Sequence, residues 1–172
     1  MKLNGRNLKR RLYGLKSFPE RVARVRYFRG HGVHSPFVYR LVRQAFMKRE
    51  VISSEPVLMD ALRKRGVANR HARELQNLYT LLDYQSFSID ELSNPCRLCV
   101  LTPQLDKESS VKLIERAAQR GTTVAVLAPY EGKERQELCQ RLVERHPCTS
   151  VDKRGYLLLF SHQNLPKQHY RI

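Results

Sequence analysis

Few residues in this sequence are of types and spacings that do chemistry. His31 and His34 flank a turn in Gly30-His31-Gly32-Val33-His34-Ser35-Pro36-Phe37. Two histidines three apart can share a metal, but no acidic or thiol ligand lies near them in sequence. The glycines admit backbone angles closed to other residues, while Ser35-Pro36 reads as an N-cap followed by proline at the first helical position. The first amides of that helix could hold an anion such as phosphate, which makes His31, His34 and Ser35 candidate anion contacts rather than metal ligands. Cys96-Arg97-Leu98-Cys99 is a CxxC, but a redox pair of this kind belongs at a helix N-terminus. Here Cys99 falls inside the apolar run Arg97–Thr102, and Cys139 and Cys148 do not form a second pair for zinc. All four cysteines are therefore expected to be structural. No phosphate loop, nucleophile elbow or HExxH stretch is present. Asp106, Glu108, Glu115 and Glu131 sit at predicted helix starts or within helices, where carboxylates serve capping and dipole roles.

The strongest global signal is charge. The 172 residues carry a formal net charge of +16. Residues 1–82 hold 19 basic and 5 acidic side chains, and residues 1–50 alone hold 14 and 2. A field of this sign and density attracts a polyanion, so nucleic acid or another polyanion, acidic lipid included, is the expected partner of residues 1–50, with Arg10, Arg11, Arg24 and Arg26 as contacts. Tyr13, Phe18, Tyr27 and Phe28 could stack on bases there, or pack in a core at helical spacing. With 41% hydrophobic and 28% charged residues the chain is globular, which excludes disordered and collagen-like classes. No apolar run is long enough for a transmembrane helix, and basic Met1–Arg11 is not followed by the apolar stretch of a secretory signal. Four cysteines without such a signal imply reduced thiols and a cytoplasmic location.

The elements that must position these residues fall into two blocks. Residues 1–84 read as a basic helical region. Leu8, Leu12 and Leu15 recur at helical spacing until Phe18-Pro19, and Val22, Val25 and Phe28 follow until Gly30. Val38, Leu41, Val42, Ala45 and Phe46 define the buried face of the helix opened by Ser35. Leu58, Ala61 and Leu62 mark another helix closed by Gly66, and Asn69 is read as the cap of a third, with Ala72, Leu75, Leu78, Tyr79 and Leu82 inward. Residues 85–172 read as α/β. Phe87–Ile89 is a short strand, Arg97–Thr102 a second, and Thr123–Ala128 a third whose unbroken apolar run is that of a parallel strand buried on both faces. Helices 107–120 and 131–145 alternate with them, the first through Val111, Ile114, Ala117 and Ala118. Thr149–Val151 and Tyr156–Phe160 flank a hairpin turn.

Arg29 to Tyr39 contains GHGVHSPF, which resembles the N-terminal GHGxHSPF segment of a group of small bacterial class I S-adenosylmethionine-dependent methyltransferases. Ala72–Leu82 is similar to the helix before the first core strand of that group. Ser150-Val151-Asp152, Gly155–Phe160 and Leu165–Tyr170 are similar to its C-terminal hairpin and tail. The resemblance covers about the first 46 residues and most of 72–84 and 97–172. It implies a Rossmann-like sheet, truncated to about four main strands and ending in an antiparallel hairpin, behind the helical N-terminal region.

The family places a glycine-rich loop after its first strand, where the backbone approaches the cofactor. This chain instead reads Ser86-Phe87-Ser88-Ile89-Asp90-Glu91-Leu92-Ser93-Asn94-Pro95, with no glycine between Gly66 and Gly121. Arg97–Thr102 aligns with the fourth strand of the family, so the second and third are missing. Asp90 and Glu91 are the remaining candidates for the cofactor's ribose contact. The resemblance therefore implies a methyltransferase-like protein without S-adenosylmethionine-dependent catalysis, a binding or structural module for which no cofactor is expected. The alternatives are an active enzyme with an altered site, which would require S-adenosylmethionine, and a basic nucleic-acid-binding protein. A truncated sheet leaves a free edge, which a homodimer would cover.

Overall fold

The computed structural model describes residues 34–161 and 164–172. The N-terminal helices read from residues 3–28, and Arg10, Arg11, Arg24, Arg26 and His31, lie outside the described residues. The described chain runs α1 (Pro36–Leu41), which continues into a π turn at Val42–Phe46, then α2 (Val57–Lys64), α3 (Asn69–Leu81), β1 (Phe87–Ile89), β2 (Leu98–Leu101), α4 (Lys107–Gln119), β3 (Thr123–Leu127), α5 (Lys133–Arg145), β4 (Ser150–Asp152), β5 (Tyr156–Leu159) and β6 (His169–Arg171).

Local signals set the helix ends. The Ser35 hydroxyl accepts from the Val38 amide at 3.3 Å, with Pro36 at the first helical position, as the sequence predicts. Gly66 and Gly121 follow α2 and α4 with φ of 78° and 66°, the left-handed region that glycine enters without a Cβ clash. Asn69 is not a cap: Ala68 holds the N-cap position of α3 and Asn69 is its first helical residue. Ala118 is exposed, because the inward stripe of α4 runs through Ser110, Ile114 and Ala117 instead.

Among the described residues the sheet has six strands, not four, in the order β1-β2-β3-β5-β4-β6. Strands β1, β2 and β3 are parallel, with Leu98 opposite Thr123 in the expected neighbouring of those two segments. Strand β5 is antiparallel to β3 and to β4. The hairpin forms because the Asp152 carboxylate accepts the Arg154 amide at 2.7 Å, and Arg154 takes φ of 66°. The C-terminal residues return as β6, parallel to β4, with Asp152 opposite Arg171.

Alternation along the strands divides the core. Leu98, Val100, Ala125, Leu127, Tyr156 and Leu158 pack under α1, α2 and α3. Cys99, Leu101, Val124, Val126, Leu157 and Leu159 pack with Ile114 and Ala117 of α4 and Cys139 of α5. Three polar residues of α3 are buried inside the helical layer. Asn77 accepts the Ile52 amide at 3.0 Å and donates to Glu50 O at 2.9 Å, which ties down the 47–56 segment. Gln76 Oε1 accepts the amides of Leu58 and Met59, the first turn of α2, at 3.0 and 3.1 Å. Glu74 joins the helical layer to the sheet.

Candidate functional site

In parallel α/β sheets, ligands bind outside the carboxyl ends of the strands. Here that edge is formed by Asp90 after β1, Thr102 after β2 and Ala128 after β3. Asp90 and Ala128 take φ of 60° and 47°, so the chain leaves both strands through the left-handed region. Asp90 Oδ1 accepts the Thr102 amide at 2.6 Å, and Oδ2 accepts the Thr102 hydroxyl at 2.7 Å. From the first turns of α5, Arg135 donates through Nε and Nη2 to Leu127 O at 3.1 and 2.9 Å, and through Nη2 to Thr102 O at 3.2 Å. Burial pulls the Arg135 pKa down from its ordinary value, while Cys139 and Asp90 act in the opposite sense. The ends of β1, β2 and β3 are thus cross-linked by the chain's own side chains.

The β1–β2 connection is equally occupied. Ser88 Oγ donates to Glu91 O at 2.6 Å, and the Cys99 thiol donates to the same carbonyl at 3.2 Å. Ser88 Oγ also lies 3.0 Å from Cys96 Sγ. The loop is folded back onto its own strand. An S-adenosylmethionine site would need a close backbone and an acidic side chain with oxygens directed at the ribose. Each Asp90 oxygen accepts one hydrogen bond from Thr102, Glu91 is exposed, and the connection carries no glycine. Asp90 is thus engaged with the β2 end, and a glycine-rich approach of backbone to ligand has no counterpart in this connection.

A second polar cluster stands where α3 meets β5. Glu74 is 1% exposed, and its carboxylate accepts Arg70 Nε at 2.9 Å and the Tyr156 hydroxyl at 2.9 Å. Tyr156 is fully buried, and burial holds its phenol protonated well above the ordinary range. The His71 ring stands edge-on to Tyr156 with centroids 5.8 Å apart, and burial lowers its pKa. A Cβ built on Gly155 would meet the far end of that ring at 2.2 Å, so any side chain at 155 requires the imidazole to shift. The cluster joins two layers and is closed to solvent at its carboxylate. Between α5 and strands β4 and β6 lies a cleft of about 320 Å³, lined among others by Tyr130, Val143, Asp152, Leu157 and Arg171. The Tyr130 hydroxyl donates to Asp152 in it.

Of the other sequence candidates, His34 is exposed ahead of α1, and Ser35 acts as its N-cap. The two buried thiols are poor nucleophiles: burial pushes Cys99 up to about 12 and Cys139 up to about 11. Among the described residues no three His, Cys, Asp or Glu side chains gather to hold a metal, and no helix is long and apolar enough to cross a membrane. Sequence reasoning missed Thr102 and Arg135. Arg135 did leave a signal, since a cation near a helix N-terminus opposes the dipole and needs acceptors elsewhere. Comparison with family models, curated proteins and solved structures finds no match to this chain.

Proposed function

We propose that this chain is a methyltransferase-like protein whose cofactor crevice is closed, and that it works as a binding module for nucleic acid through the basic residues 1–50. The observation that carries the first half is the cross-link of Asp90, Thr102 and Arg135 over the carboxyl ends of the strands. The strand order supports it as well. A doubly wound sheet ordered 3-2-1-4-5-6 that loses its second and third strands begins at strand 1 and continues into 4 and 5. Here β1 is an edge strand whose neighbours continue β2 then β3. Charge carries the second half, with 14 basic and 2 acidic side chains in residues 1–50.

Two titrations test the reading. A ligand at one hundred times its Kd stabilises a protein by about 2.7 kcal/mol, a midpoint shift of several degrees at this size. No shift is expected with S-adenosylmethionine or S-adenosylhomocysteine. A saturable shift abolished by Asp90→Asn or Glu91→Gln would restore the active-enzyme reading. Nucleic-acid affinity should fall with salt at a log–log slope of about −0.7 per phosphate neutralised on single strands. Changing Arg10, Arg11, Arg24 and Arg26 to Gln should flatten that slope. An affinity and slope unchanged by those substitutions would refute the assignment to residues 1–50.

A further inference from the structure

Helix α1 and its π turn bury Val38, Leu41, Val42, Ala45 and Phe46 against the core. The opposite face carries Tyr39, Arg40, Arg43, Gln44 and Met47, all exposed. Among the exposed large apolar side chains of the described residues, Tyr39 is the one aromatic, at 47%. Its neighbours on the face are cationic or neutral. Arg40 donates to Gln44 at 3.3 Å, and Arg43 Nη1 lies 3.9 Å from Met47 Sδ. Lys48 and Arg49 follow directly and are exposed, with Glu50 the single acidic residue between 34 and 54. None of these four cations forms an ion pair among the described residues.

We propose that this face of α1 is a stacking platform for single-stranded nucleic acid, with Tyr39 under a base and Arg40 and Arg43 on the adjoining phosphates. The inference rests on the nucleic-acid reading above and gives it a site. Residues four apart on a helix lie about 5–6 Å from each other, so a base seated on Tyr39 leaves its backbone beside Arg43. Single strands are the form that fits, because base faces in a duplex are already stacked on one another. A face of charge alone would take any polyanion, whereas an exposed phenol ring adds a contact that requires bases.

Fluorescence anisotropy of the full chain with labelled oligothymidylate tests this at roughly 50 mM salt, with inorganic polyphosphate as a baseless competitor. Tyr39→Ala should weaken oligothymidylate binding about tenfold, within the range measured for loss of one base–aromatic stack, and leave the salt slope and polyphosphate competition constant unchanged. Tyr39→Phe should bind like the parent, since the ring is retained. Arg43→Gln should weaken both ligands and flatten the slope. If the parent chain binds and Tyr39→Ala binds within twofold of it, the stacking platform is overturned and the polyanion reading stands. If Tyr39→Ala weakens polyphosphate equally, the platform is also overturned, because the residue then acts without bases. If the parent chain does not bind, the nucleic-acid reading falls and this inference with it.

Discussion

Replacing Tyr156 by Phe removes one oxygen from the middle of the molecule and leaves the ring in place. The Tyr156 hydroxyl donates at 2.9 Å to Glu74, a carboxylate that is 1% exposed and has Arg70 as its other partner. A hydrogen bond to a charged group contributes about 1.5–3 kcal/mol, and a buried charge deprived of a donor sits at the upper end of that range. Tyr156→Phe is therefore expected to cost about 2–3 kcal/mol. In a chain of this length that lowers the thermal midpoint by roughly 4–12 °C. Glu74→Gln keeps an acceptor for the phenol but loses the charge that Arg70 pairs with. Arg70 is largely exposed on its side of the pair, so water compensates for much of that loss. The Gln variant should then be less damaged than the Phe variant, and the double variant should fall short of the sum, with a coupling of about 1 kcal/mol or more. Chemical denaturation of the four proteins measures each term. A Tyr156→Phe variant within 0.5 kcal/mol of the parent, a margin typical of surface changes, would refute the claim that this bond ties α3 to the sheet.

Two further outcomes follow from the same region and its surroundings. Gly155→Ala should destabilise by about 1–3 kcal/mol, because the added Cβ would lie 2.2 Å from the His71 ring, and Gly155→Ala should cost little in a His71→Ala background if that contact is the cause. Burial lowers the pKa of both His71 and His146 from 6.5. The unfolded chain therefore binds more protons below that value, so stability is complete above pH 6.5 and falls as pH drops through the folded-state values. His146 Nε2 lies 2.8 Å from Phe160 O, and His146→Gln should make the thermal midpoint less dependent on pH between neutrality and acid.

Where the sequence is legible, the signals are local. Ser35-Pro36 opens a helix, Gly66 and Gly121 close two, and the apolar run Thr123–Leu127 is a doubly buried strand, because each is decided by a few adjacent residues. The hairpin at Asp152–Gly155 is legible for the same reason. Strand β6 is not, since His169-Tyr170-Arg171 is a polar edge segment that becomes a strand through its register with β4. The buried Glu74, Gln76 and Asn77 lie outside the apolar stripe of their helix, and only partners from β5, α2 and the 45–52 segment account for their burial. Asp90 was legible as the acid nearest the expected cofactor edge. Its partner Thr102 lies twelve residues on, and the pairing depends on β1 and β2 lying side by side.

The reach of Gln76 into α2 makes one helix conditional on another. Helix α2 has 8 residues, fewer than the roughly 12–15 an isolated helix needs to persist in water, and Pro56 at its N-cap offers no side-chain acceptor. The amides of Leu58 and Met59 are satisfied by a side chain eighteen and seventeen positions away. Solvent exchange at those two amides therefore reports on the anchoring of α3 rather than on fraying of α2. The two helices are therefore expected to open as one unit, because loss of the Gln76 contact leaves both amides without their acceptor.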